Sequence, residues 1–168
     1  MPIKKQNQIV QNFIKENETV EAVELLISDL NGILRGKWAP KDALEKIVDP
    51  GMNLPMSIFG LDIWGREVEE TGLHIETGDL DGFCCLIDDR VANETWAKRP
   101  TAQALLSMKD DKGKPFYADP RNALQSLINK MKRKGLTPVV AFELEFYLVD
   151  PTSFQATGKI MRDRDNIH

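Results

Sequence analysis

Glu143 and Glu145 are two carboxylates separated by one residue, set inside Val139-Val140-Ala141-Phe142-Glu143-Leu144-Glu145-Phe146-Tyr147-Leu148-Val149. β-Branched and aromatic residues dominate this stretch, and Pro138 and Pro151 bracket it, a pattern that predicts a strand over 139–149. Side chains alternate faces along a strand, so Val140, Phe142, Leu144, Phe146 and Leu148 would form one wholly apolar face. Glu143 and Glu145 would point the other way, roughly 7 Å apart. A strand this apolar is expected to be largely buried, and buried carboxylates are costly unless paired or bound to a cation. Two parallel carboxylates beneath a pocket suit a hard divalent ion such as Mg²⁺ or Mn²⁺. The competing reading is the solvent face of a half-exposed sheet. Tyr147 and Val149 share the glutamate face, so that face is not a simple polar exterior.

Other chemistries find little material. The two histidines are His74 and His168, which leaves no histidine-based triad or zinc cluster, and His74 reads more simply as a surface residue than as a catalyst. Serine and cysteine nucleophiles have no base partner. The adjacent Cys84 and Cys85 suit neither a disulfide framework nor a zinc site, and they read as small buried hydrophobes in a reducing compartment. Lys112-Gly113-Lys114-Pro115 lacks the glycine spacing and following Ser/Thr of a phosphate-binding loop. A formal charge of −4 offers no basic excess for nucleic acid. The basic run Lys130-Met131-Lys132-Arg133-Lys134 falls at the end of a predicted helix, where it offsets the helix dipole. No apolar run approaches the ~20 residues of a membrane span, and the amino terminus lacks a secretion signal's apolar core. The expected location is the cytoplasm.

The elements that must position these residues follow from periodicity and punctuation. A first segment, 1–17, holds a short amphipathic helix from about Gln6 to Asn17, with Ile9, Val10, Phe13 and Ile14 on one side. Thr19–Ser28 and Ile33–Ala39 read as strands joined by the turn Asp29-Leu30-Asn31-Gly32. Pro40–Ile47 reads as a helix with proline near its start. From Asp49 to Gly82, glycines and prolines interrupt every period, yet Phe59, Leu61, Ile63 and Trp64 argue for an ordered loop with a purpose. Phe83–Ile87 is an apolar strand, and Leu105–Lys109 is a candidate strand closing the sheet before the turn Asp110-Asp111-Lys112-Gly113. Asp119-Pro120-Arg121 carries helix-start chemistry. The following helix places Leu124, Leu127, Ile128 and Met131 on one stripe expected to be buried, and Gly135 stops it. A 168-residue α+β chain results, with a boundary near Pro115. A lone helix and strand cannot bury both apolar surfaces, so the chain is expected to be the front end of a longer protein.

Phe142-Glu143-Leu144-Glu145-Phe146-Tyr147-Leu148, preceded by Asp119-Pro120-Arg121, resembles the entry to the catalytic domain of glutamine synthetases. Residues 18–114 resemble their amino-terminal β-grasp domain. Val23 to Gly36, with Asp29-Leu30-Asn31-Gly32-Ile33-Leu34-Arg35-Gly36, is similar to its first hairpin, Ser57-Ile58-Phe59-Gly60-Leu61-Asp62 to the loop bearing an active-site aspartate, and Gly78-Asp79-Leu80-Asp81-Gly82 to the acidic stretch that follows. On this resemblance 115–168 is the start of the catalytic domain. Leu61-Asp62-Ile63-Trp64-Gly65 looks more like the γ-glutamylpolyamine (γ-glutamylputrescine) synthetase branch than like the Phe-Asp-Gly-Ser-Ser usual in assimilatory enzymes, a departure that counts against ammonia as acceptor.

The resemblance implies an ATP-dependent ligase that joins the γ-carboxyl of glutamate to an amine through γ-glutamyl phosphate. It implies Glu143 and Glu145 as ligands of two neighbouring divalent ions, and Asp62 as the carboxylate that collects the incoming ammonium or amine and accepts its proton. It also implies a homo-oligomeric, dodecamer-like ring in which the Asp62 loop reaches an adjacent subunit, with Trp64 near the acceptor pocket. The chemistry is consistent. Phosphoryl transfer needs charge neutralisation and alignment, and attack on an acyl phosphate needs a neutral amine. The plainer reading of Asp62 is a turn-stabilising aspartate. Two carboxylates alone hold Mg²⁺ weakly, so the isolated chain is expected to be inactive. Two alternatives stand: glutamine synthetase proper, and a non-catalytic β-grasp interaction module.

Overall fold

The computed structural model describes residues 3–48, 51–73 and 78–155. The chain divides into two units, Met1–Leu136 and Thr137–His168.

The first unit is built on a five-stranded mixed sheet. Its strands are β1 (Ala22–Ser28), β2 (Leu34–Pro40), β3 (Met52–Pro55), β4 (Asp81–Asn93) and β5 (Thr101–Lys109), in spatial order β2-β1-β5-β4-β3. β1 and β5 run parallel at the centre, and the other neighbours are antiparallel. Alternation on β1 sends Val23, Leu25 and Ile27 into the core. Helices α1 (Ile3–Glu16) and α2 (Leu44–Val48) contribute Val10, Leu44, Ile47 and Val48 to the same cluster. Glu24, Leu26, Gln103 and Leu105 sit half-buried on the other face.

The α+β class and the β1–β2 hairpin follow the sequence. Gly32 takes φ +78° at the turn, a conformation that glycine adopts without penalty. The helix after Pro40 begins as a 3₁₀ turn, Lys41–Ala43, and continues as α2. Cys84 is buried and Cys85 half-buried on opposite faces of β4, and neither is in a disulfide. Burial pushes the Cys84 thiol up to about 12, with the charges of Asp119, Cys85 and Asp81 adding to it, so it is neutral and unreactive.

Three elements depart from expectation. The 49–82 stretch contains β3, which pairs only with β4 as an edge strand, and its terminal Pro55 is tolerated there. β4 runs on past Ile87 through a register shift between Leu86 and Val91, where Asp88 adopts φ +39°. Such a bulge breaks the period of two that a sequence reading relies on. β5 starts at Thr101 rather than Leu105, because Ala102 and Ala104 are buried by packing in spite of alanine's poor strand preference.

Helix α3 (Pro120–Arg133) belongs to the first unit. Asp119 caps it: Arg121 N donates to Oδ1 at 2.9 Å. The other carboxylate oxygen accepts from Met108 N at 2.8 Å and Ser107 Oγ at 2.7 Å, tying the helix start to β5. Gly135 at φ +72° closes the helix, with Leu136 N donating to Met131 O. The predicted buried stripe is corrected here. Leu124 and Leu127 are each 55% exposed, and no α3 residue is buried.

Residues 139–149, expected to form a strand, lie in the second unit, and this expectation is corrected too. No strand forms across 139–148 among the described residues. Val139 is 94% and Phe142 89% exposed. A strand exists only through ladder bonds to neighbours, and the described residues supply none for this stretch.

Candidate active site

The residues bearing Asp62 are fixed from below. The 3₁₀ turn Met56–Gly60 buries Ser57, Ile58, Phe59 and Gly60. Phe59 is the anchor, its ring centroid 5.6 Å from that of Phe116 at 41°. A Cβ on Gly60 would lie 2.9 Å from Thr71 Oγ1 and 3.2 Å from Leu73 Cβ, so the chain passes where only glycine fits without displacement. Val68 N donates to Gly60 O at 2.8 Å, and Leu61 bridges Glu67 in antiparallel fashion. The chain thereby turns back on itself around Asp62.

That turn is Asp62-Ile63-Trp64-Gly65-Arg66. Asp62 N donates to Arg66 O at 2.8 Å, and Gly65 N to Asp62 O at 3.0 Å, with Gly65 at φ +78°. The Asp62 side chain uses one oxygen, Oδ1, to accept from both Trp64 N and Arg66 N at 2.8 Å. Oδ2 has no hydrogen-bond partner among the described residues. Asp62 is therefore a turn-former, as its plainer reading held, and it still presents one uncommitted carboxylate oxygen. Trp64, next to it, is 80% exposed.

The same construction occurs at two other hairpin ends. Asp29 Oδ1 accepts from Asn31 N and Ile33 N, both at 2.8 Å, and Asp110 Oδ1 accepts from Lys112 N at 3.0 Å and Lys114 N at 2.8 Å. Each has glycine at the fourth position with positive φ. This is the three-residue hairpin loop with a left-handed glycine. Asp-x-x-Gly was the signal available in the sequence for the Asp62 hairpin, and the surrounding glycines and prolines hid it.

The first two turns touch. Asn31 Nδ2 donates to Leu61 O at 2.9 Å, and a Cβ on Gly65 would lie 3.9 Å from Arg35 Nη1. Arg35 is held by Asp29, Nε to Oδ2 at 2.7 Å, with Asp29 only 1% exposed. Burial acts to raise the Asp29 pKa, but the Arg35 hydrogen bond, the Ile33 and Asn31 amides and the Arg35 charge outweigh it and hold the carboxyl below its usual value. Sequence reasoning missed Asn31 and Arg35 as neighbours of the Asp62 loop, because a contact across 30 residues leaves no local pattern.

Glu143 and Glu145 lie in the second unit, both exposed, with no ion-pair or hydrogen-bond partner among the described residues. The burial expected of them is corrected: the segment that carries them forms no strand over 139–148 and is exposed there. Uncommitted carboxylates are donors of the kind a hard divalent ion takes, but two fall short of its usual six oxygen ligands. Among the described residues no group of three or more His, Cys, Asp or Glu side chains converges to hold a metal. His74 and His168 lie outside the described residues. No described helix is long and apolar enough to cross a membrane.

Residues 117–167 match the family described as glutamine synthetase, catalytic domain. The chain is 39% identical over 143 residues to gamma-glutamylputrescine synthetase PuuA of Escherichia coli (strain K12), covering 85% of this chain and 30% of that protein. It is 31% identical over 152 residues to glutamate–isopropylamine ligase of a Pseudomonas species, covering 88% of this chain and 32% of the relative. It therefore spans about a third of the length of these curated relatives. The cryo-EM structure of Plasmodium falciparum glutamine synthetase superposes with a TM-score of 0.57 at 19% identity, over 77% of this chain and 23% of that one, a likeness of fold. By the catalytic-domain match over 117–167 and the extended identity to these two relatives, the chain is similar to the glutamine synthetase family over most of its length.

Proposed function

We propose that this chain is the amino-terminal part of an ATP-dependent ligase that joins the γ-carboxyl of glutamate to an amine through γ-glutamyl phosphate. The observation that carries the reading is the 39% identity over 143 residues to a gamma-glutamylputrescine synthetase. The second relative is also named for an alkylamine, which favours a polyamine or alkylamine acceptor over ammonia. Residues 18–114, within the first unit, are read as a β-grasp domain, on the strength of the antiparallel first hairpin and the parallel β1–β5 pair. Residues from 115 open the catalytic domain. The protein is read as cytoplasmic and as working in a homo-oligomeric ring.

In this reading Glu143 and Glu145 hold Mg²⁺ or Mn²⁺ together with phosphate oxygens, water and further ligands. Bound there, the ion would neutralise phosphate charge and align the transfer. Asp62 receives the amine. Its Oδ1 is committed to the turn, so Oδ2 is the oxygen that attracts the alkylammonium and takes its proton, leaving a neutral nucleophile. Exposed Trp64 lies beside it, where its ring can contact the acceptor's alkyl chain or its cation.

The test is product analysis of the full-length protein with glutamate, ATP and, in turn, putrescine, spermidine, ethanolamine and ammonia. The expected product is a γ-glutamyl polyamine with stoichiometric ADP. Activity with ammonia alone would replace the polyamine assignment with glutamine synthesis. The 168-residue chain by itself is expected to form no amide, and ATP-dependent amide formation by it would contradict this account.

A further inference from the structure

We propose that Asn31 and Arg35 are positioning residues that splint the Asp62 turn against the Asp29 turn and so set the direction of the free Asp62 carboxylate oxygen. The Asp62 turn is closed by its own hydrogen bonds, but those fix only its internal shape. Its placement depends on what touches it from outside. Phe59 anchors one root. At the tip, the Asn31 side-chain amide donates to Leu61 O, the carbonyl immediately before Asp62. Arg35 stands beside Gly65 on the far arm, immobilised by the buried Asp29 carboxylate at 2.7 Å. The splint thus holds the turn by a hydrogen bond at the residue before Asp62, with the Arg35 guanidinium close by at the third residue after it. Asp29 organises both contacts, since one of its oxygens shapes the turn that carries Asn31 and the other holds Arg35. The Asp110 turn has the same internal bonds, and among the described residues no side chain from another turn donates to it. It is therefore an internal control. The consequence for catalysis rests on the reading of Asp62 given above. The positioning itself does not.

Amide hydrogen exchange on the 168-residue chain tests the splint, using Asn31→Ala and the near-isosteric Asn31→Asp, which lacks the amide donor. The expected result is exchange about threefold or more faster at the Trp64 and Arg66 amides. Lys112 and Lys114 should be unchanged, and Trp64 fluorescence should shift. Asn31→Gln, which keeps a donor, should recover part of the protection. Unchanged exchange at Trp64 and Arg66 would overturn the proposal. So would an equal rise at Lys112 and Lys114, which would signal general loss of stability. In the full-length ligase, Asn31→Asp is expected to lower kcat/KM for the amine while leaving KM for ATP in place. Asp62→Asn is judged separately: if amine turnover survives it, the reading of Asp62 fails while the exchange result still stands or falls alone.

Discussion

A carboxylate with two oxygens can divide its work, and the three Asp-x-x-Gly turns show two divisions. Asp62 and Asp110 each give Oδ1 to their own turn and leave Oδ2 without a hydrogen-bond partner among the described residues, whereas Asp29 commits both oxygens. The Asp29–Arg35 pair is where removing one partner leaves a buried charge, so Arg35→Ala is expected to cost about 3 kcal/mol at pH 7 by urea denaturation. The sign of its pH dependence follows from the lowered Asp29 pKa. The contribution is fully present above the unfolded value of about 3.9 and is lost as pH falls through the lower folded value. The gap between parent and variant should therefore close in strong acid, and a gap that widens there would contradict it. Cys84 offers a second check. Buried and pushed up to about 12, it should resist iodoacetamide at pH 8 in the folded chain and react only after denaturation. At this scale the sequence showed the right residue types, and the turn chemistry of Asp29 and Asp110 was readable because Asp29 stands between two strands and Asp110 directly follows one. What it could not show was which oxygen of Asp62 is free, since that depends on closure of a hairpin hidden among other glycines.

At the scale of elements, the Asp62 turn is only as well placed as the 3₁₀ turn beneath it. Phe59 is 1% exposed and stacks on Phe116, so Phe59→Ala removes a filled core volume and should cost about 3–5 kcal/mol, read as a lowered thermal midpoint. If Phe59→Ala left both the midpoint and Trp64 fluorescence in place, the loop would have a different anchor. Helix α1, the β1–β2 hairpin and the cap at Asp119 were legible because local chemistry dictates them: an apolar stripe, an Asn-Gly turn, an Asp-Pro start. β3, the far end of β4 and the first half of β5 were not. Each is stabilised by its neighbours more than by its own residues, through an edge pairing, a bulge and buried alanines.

For the molecule as a whole, the two apolar surfaces that the sequence placed inside are found outside. Leu124 and Leu127 on α3, and Phe142, Leu144 and Phe146 in the second unit, are each more than half exposed. The helical period of α3 was read correctly and the strand period of 139–149 was not, and in both segments burial depends on partners that a pattern within one segment does not reveal. The same holds for Glu143 and Glu145, whose carboxylates are exposed and without partners among the described residues. The proposed ligase gives them their work, and the most direct measurement is glutamate- and putrescine-dependent ADP formation by full-length Glu145→Ala, with Mn²⁺ titrated in the presence of ATP. The expected result is loss of turnover by at least about a hundredfold and weakened Mn²⁺ binding, while the thermal transition of the sheet domain is unchanged. Turnover and Mn²⁺ affinity equal to those of the parent would contradict the account.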